Sequence, residues 1–139
     1  VIGTAAVRDE GLTSKFLPLN YPAVANIEIV NALIDASKKQ SAVIHTGVVH
    51  TSDAFSSPAL SNDITLAKKS DVLAFEMEAS AVLMIGALNK IKTGCIFSID
   101  GFVENISDGN VKPDSKACDI GIKSAIKTAL DAMIILNQD

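Results

Sequence analysis

At 139 residues the chain has the length of one domain and enough material to bury a core. Apolar residues make up 48% of it, a globular rather than a disordered profile. A net charge of -4 with no Lys/Arg cluster argues against nucleic acid as a partner, and the longest apolar run, Ala81 to Leu88, falls far short of the ~20 residues that span a bilayer.

Val1 to Val7 reads as a strand, turned by Arg8-Asp9-Glu10-Gly11. Leu12 to Pro22 reads as a loop punctuated by Pro18 and Pro22. Ala25 to Lys39 carries Ile27, Val30, Leu33 and Ile34 at the spacing of one helix face, with Lys38-Lys39 in the last turn. Ala42 to Val49 is a β-branched run and predicts a buried strand. Thr51 to Asn62 predicts a loop and Asp63 to Lys69 a short helix. A strand ending at Phe75, a helix over 77–89 and a last strand over 92–99 follow. Gly101 to Pro113 is polar and predicts a loop. The apolar spacing from Ser115 to Leu136 predicts a long amphipathic helix. Strands alternating with helices, several of them uniformly apolar, imply an α/β layer structure in one domain.

The residues that stand out are acidic ones in apolar surroundings. Val72-Leu73-Ala74-Phe75 reads as a buried strand and Ala81 to Leu88 as a buried helix, and Glu76 and Glu78 sit at the joint between them. Unpartnered burial of a carboxylate costs several kcal/mol, roughly, so such groups usually meet a ligand or a dedicated partner. Asp100 ends the next apolar strand in the same way. Carboxylates at the carboxyl ends of strands are where α/β folds place their sites, and they suit a polyhydroxylated, proton-accepting ligand. Plainer readings stand beside these. Glu78 also fits the first turn of a helix, where the macrodipole favours it. Met77 fits a core position, and Asp100-Gly101 fits an ordinary turn.

Other titratable groups offer less. His45 and His50 lie in or beside an apolar strand without metal-ligand spacing, so no metal is expected. Cys95 and Cys118 read as buried free thiols of a reducing compartment. Ser52-Asp53 reads as loop capping. Arg8 fits either an ion pair with Asp9 or Glu10, or a subunit contact. No signal peptide opens the chain, and the expected location is cytoplasmic.

Phe75-Glu76-Met77-Glu78-Ala79-Ser80 resembles the ribose-binding motif of the nucleoside phosphorylases, the family of bacterial-type purine nucleoside phosphorylase, uridine phosphorylase and methylthioadenosine nucleosidase. Ala5-Ala6-Val7-Arg8, Tyr21-Pro22-Ala23-Val24-Ala25, Thr51-Ser52-Asp53-Ala54-Phe55 and Lys90-Ile91-Lys92-Thr93-Gly94 fall in that family's order and spacing. The resemblance implies an α/β fold with a mixed central sheet flanked by helices, the three-layer phosphorylase/hydrolase-like architecture. Residues 1–139 would form its carboxy-terminal part. The family's amino-terminal half carries a Gly-rich phosphate loop and phosphate-binding arginines. Neither is found here, where Arg8 is the only arginine.

By the same resemblance, Glu78 accepts hydrogen bonds from ribose hydroxyls while Met77 packs against the sugar. Phe75 and Glu76 join the substrate-binding segment, Glu76 either facing the base or supporting the loop. Phe55 lies near base and sugar, where an aromatic face stacks at about 1–3 kcal/mol per base. Asp100 is the catalytic acid, stabilising the departing purine near N7 by proton donation or hydrogen bonding. Uridine phosphorylases carry an Asn or similar residue there, and a Gln and an Arg in the stretch that here reads Ser56-Ser57-Pro58-Ala59-Leu60-Ser61. The implied activity is phosphorolysis of purine ribonucleosides in purine salvage. Inorganic phosphate is co-substrate, no other cofactor is needed, and the assembly is a homo-oligomer, in the family a hexamer of dimers. Uridine or broad-specificity phosphorolysis is the alternative. An inactive nucleoside-binding fragment or oligomer subunit is the alternative of a different class.

Overall fold

The computed structural model describes residues 1–40, 43–54, 60–102 and 115–137. The elements are β1 (Ile2–Asp9), a 3-10 turn (Thr13–Lys15), β2 (Ala23–Val24), α1 (Ile27–Lys38), β3 (Thr46–Ser52), α2 (Leu60–Lys69), β4 (Ala74–Glu76), α3 (Ala79–Leu88), β5 (Cys95–Ile96) and α4 (Ser115–Leu136). They form a mixed sheet flanked by helices. β1 is its centre. One edge of β1 pairs in parallel with β3 over its whole length, Ile2 with Thr46 through Asp9 with Ser52. The other edge is shared by two antiparallel partners, β5 at Ile2 and Gly3 and β2 at Ala5 and Ala6. β3 in turn pairs in parallel with β4, at the sheet's edge.

The core follows from this arrangement. Ile2 and Val49 on neighbouring strands are 0% exposed, and Leu83 and Met84 of α3 close over them at 1%. Burial of side chains of this size is worth about 1.5–3 kcal/mol each. Helix α1 starts where Asn26 caps it, its Oδ1 accepting the N–H of Glu28 at 3.0 Å and of Ile29 at 3.4 Å. Such a cap contributes about 1 kcal/mol. Val30, Leu33 and Ala36 turn inward from α1, and α4 packs along the same helix. Gln40 Nε2 donates to Thr128 Oγ1 of α4 at 3.0 Å.

Several expectations shift. The strand expected over 42–49 runs over Thr46–Ser52, because His50, Thr51 and Ser52 continue the ladder with β1. The segment read as a loop before Pro22 opens with the 3-10 turn, and β2 follows it. The strand expected over 92–99 is a ladder only at Cys95 and Ile96. Helix α3 is not buried all round. Ala79, Ser80, Leu83, Met84 and Gly86 face inward, whereas Val82, Ile85 and Leu88 are exposed. The strand before Glu76 is half-buried, as an edge strand beside a cavity should be. Among the described residues, no helix is long and apolar enough to cross a membrane.

Candidate active site

The joint between β4 and α3 is built by hydrogen bonds that local sequence does not reveal. Glu76 ends β4 directly opposite Thr51 of β3. Its Oε1 accepts the Thr51 hydroxyl. Its Oε2 accepts the backbone N–H of Glu78 at 2.7 Å and of Ala79 at 2.6 Å. These N–H groups open α3 and have no partner inside the helix, so Glu76 caps it from outside. Glu78 holds the N-cap position itself, but its side chain makes no capping bond. Of two carboxylates at one joint, Glu76 is tied to protein donors on both oxygens. The Glu78 carboxylate accepts no hydrogen bond from the described residues, which leaves its oxygens available to a ligand.

Phe75, Glu76, Met77, Glu78 and Asp100 all line one cavity of about 900 Å³. That lies in the range of small-molecule pockets, roughly 300–1,000 Å³. Met77 is 44% exposed there. Phe75 is fixed from behind by His50, with ring centroids 4.7 Å apart. His50 is buried, and its Nε2 lies 3.1 Å from Asp9 Oδ2.

Asp100 reaches the cavity by a route the sequence does not predict. β5 runs antiparallel to β1, hence also to β3 and β4, so the carboxyl ends of β4 and β5 point to opposite ends of the sheet along the strand direction. The two acidic positions line one cavity because it extends along the sheet face. Ile2 and Phe97 wall it near one end, and Glu76 and Glu78 near the other. Asp100 is exposed and lies beyond the end of β5 rather than terminating a strand. Phe55 lies outside the described residues, as does most of the loop predicted over 101–113.

The remaining polar groups sort clearly. Arg8 pairs with neither Asp9 nor Glu10. Its guanidinium donates to the carbonyls of Pro18 and Tyr21 at 2.6 Å, to that of Leu17 at 2.9 Å and to Thr13 Oγ1 at 3.0 Å, pinning the 11–22 loop. Asp53 caps that loop by accepting the Gly11 N–H at 2.8 Å. Cys95 and Cys118 are free and half-buried. Burial, aided by the Glu76 charge, pushes the Cys95 thiol up to about 11, so it stays protonated and unreactive at neutral pH. His45 and Lys68 also reach the cavity wall. Among the described residues no three metal-ligating side chains come together.

Sequence reasoning gave Thr51 and Ser80 no structural role of their own and Glu10 only that of a candidate partner for Arg8. The available signal was polar residues at the end of one strand and in the first turn of the helix beside it.

A mixed sheet flanked by helices, with an unpartnered carboxylate at a strand–helix joint beside a cavity, is an α/β fold with a candidate small-molecule site. The chain belongs to the phosphorylase superfamily, whose family model matches residues 1–134. It is 29% identical to the guanosine phosphorylase of Halorubrum lacusprofundi, an alignment covering 98% of this chain and 57% of that protein. It is 27% identical to the uridine phosphorylase of Thermococcus kodakarensis, over 91% of this chain and 50% of that one. Its fold matches the crystal structure of purine nucleoside phosphorylase from Toxoplasma gondii in complex with immucillin-H, with a TM-score of 0.84 and 28% identity. That match covers 99% of this chain and 55% of the other. The chain therefore spans about half the length of the relatives it matches.

Proposed function

We propose that the chain forms the nucleoside-binding part of an enzyme that cleaves purine ribonucleosides with inorganic phosphate, giving the free base and ribose 1-phosphate. The observation that carries this reading is that Glu78 and Asp100, both exposed and with carboxylates that have no described partner, line the same cavity. Glu78 would accept hydrogen bonds from the two vicinal ribose hydroxyls, a diol matching its two oxygens. Met77 packs against the sugar, and Phe75 supplies an apolar wall. A phosphate oxygen forms the new bond to the anomeric carbon as the bond to the purine nitrogen breaks. The electron pair leaves with the base, and Asp100 stabilises it by proton donation or hydrogen bonding at N7. Glu76 supports the joint rather than the substrate.

Uridine phosphorolysis is the second reading, favoured by the likeness to the Thermococcus kodakarensis protein. Against it stand Asp100 and the absence of Gln and Arg between Ser56 and Ser61. Steady-state assays of the full-length protein with inosine, guanosine and uridine separate the two. The purine reading expects higher efficiency on inosine or guanosine. A uridine efficiency equal to or above that for inosine would overturn it.

A further inference from the structure

Glu10 stands just after β1, and the proposed reaction makes no use of it. Its carboxylate is nonetheless fully engaged. Oε1 accepts the Ser80 hydroxyl at 2.9 Å and also the Thr13 hydroxyl. Oε2 accepts the backbone N–H of Leu12 at 2.7 Å and of Thr13 at 2.9 Å. Thr13 Oγ1 in turn accepts from Arg8 Nε, which fixes the direction in which its own proton points. Thr13 and Ser80 are both 0% exposed. Burial works against the Glu10 charge, but these donors outweigh it and hold the carboxyl below its ordinary pKa.

Ser80 is what links this cluster to the site. It lies in the first turn of α3, two residues after Glu78. Its backbone N–H donates to Thr51 Oγ1 at 2.9 Å, and its hydroxyl donates to Glu10. Glu76 already holds the N–H groups of Glu78 and Ala79. The opening turn of α3 is thus tied to β3, to β4 and, through Ser80, to the end of β1. The Glu78 carboxylate has no described partner of its own, so its place in the cavity depends on how this turn is held.

We propose that Glu10 is a positioning residue for Glu78. Acting through Ser80, it fixes the opening turn of α3 so that the Glu78 carboxylate meets both ribose hydroxyls. This rests on the ribose-binding reading of Glu78 given above. A purely structural Glu10 would hold the 11–22 loop and stabilise the fold without affecting sugar selectivity. Ser80→Ala separates the two roles, because it cuts only the link to α3 and leaves Glu10 its bonds to Leu12 and Thr13.

The test compares kcat/KM for inosine and 2′-deoxyinosine in the full-length protein and in its Glu78→Ala, Ser80→Ala and Glu10→Gln variants. Glu78→Ala should abolish most of the preference for the ribonucleoside. Ser80→Ala and Glu10→Gln should each lower that preference by roughly three- to tenfold, the worth of one hydrogen bond. Combined, they should do little more than either alone, since they act on one link. If Glu10→Gln does not fold, Ser80→Ala decides the matter. If Glu78→Ala leaves the preference intact, the ribose reading falls and this proposal with it. If Glu78→Ala removes the preference but Ser80→Ala and Glu10→Gln only lower thermal stability, the positioning role is overturned and the ribose reading stands.

Discussion

On the proposed reading, Asp100 is the residue on which the choice of leaving group turns. Its side chain stands exposed at the cavity wall rather than locked into a turn network. An amide in its place could still hydrogen-bond to a purine but could not deliver a proton. Asp100→Asn should therefore slow turnover on inosine by roughly 10²–10⁴-fold while weakening nucleoside binding far less. Near-normal turnover in the variant would reduce Asp100 to a turn residue. Glu76 and Glu78 show how differently two carboxylates can be used only two positions apart. The motif singles out both. It does not reveal that Glu76 is committed to Thr51 and two backbone N–H groups, because Thr51 is distant in sequence and its hydroxyl reads locally as part of a loop.

At the scale of elements, the tie between the end of β1 and the start of α3 should be visible in acid. The native Glu10 carboxyl lies below its ordinary value of 4.5, so the folded state binds its proton less readily than the unfolded chain does. The resulting stability is fully present above that value and is lost as pH falls through the depressed native one. Urea midpoints followed from neutral pH into the acid range should decline, and Glu10→Gln should flatten part of that decline. An unchanged slope would mean that the Glu10 bonds do not persist in solution. Helix α4 was legible from its apolar spacing alone, since Ser115–Leu136 gives the pattern many turns in which to repeat. β5 was not legible at its true length. Ile96 to Ile99 is largely apolar because it walls a cavity, and composition cannot distinguish that from a ladder. Gly86 shows a similar limit. Inside a helix it costs about 1 kcal/mol against Ala, and its reason is the close approach of Thr93, which a Cβ would strike.

For the molecule as a whole, the fate of Arg8 bears on phosphate. Phosphate recognition draws on arginine forks or on backbone donors at a helix start. The one arginine of this chain already spends its guanidinium on three carbonyls and a hydroxyl. Residues 1–139 expressed alone should therefore show no phosphate-dependent release of hypoxanthine from inosine, because in-line positioning of phosphate supplies much of the acceleration. Release clearly above a blank would mean that the chain builds a phosphate site from its own residues, with Lys68 at the cavity wall the first to substitute. The central place of β1 has a consequence for the order in which the protein takes shape. Among the described residues β1 takes its partner β5 from far along the sequence, Ile2 pairing with Ile96. Closing so long a loop is entropically costly and slow compared with local hairpins and helices. Contacts of α3 with β3 and β4 hold Glu78 at its joint. The wall that brings in Phe97 and Asp100 depends instead on the pairing of β5 with β1, so on the proposed reading the group that holds the sugar and the group that helps expel the base rest on different parts of the fold.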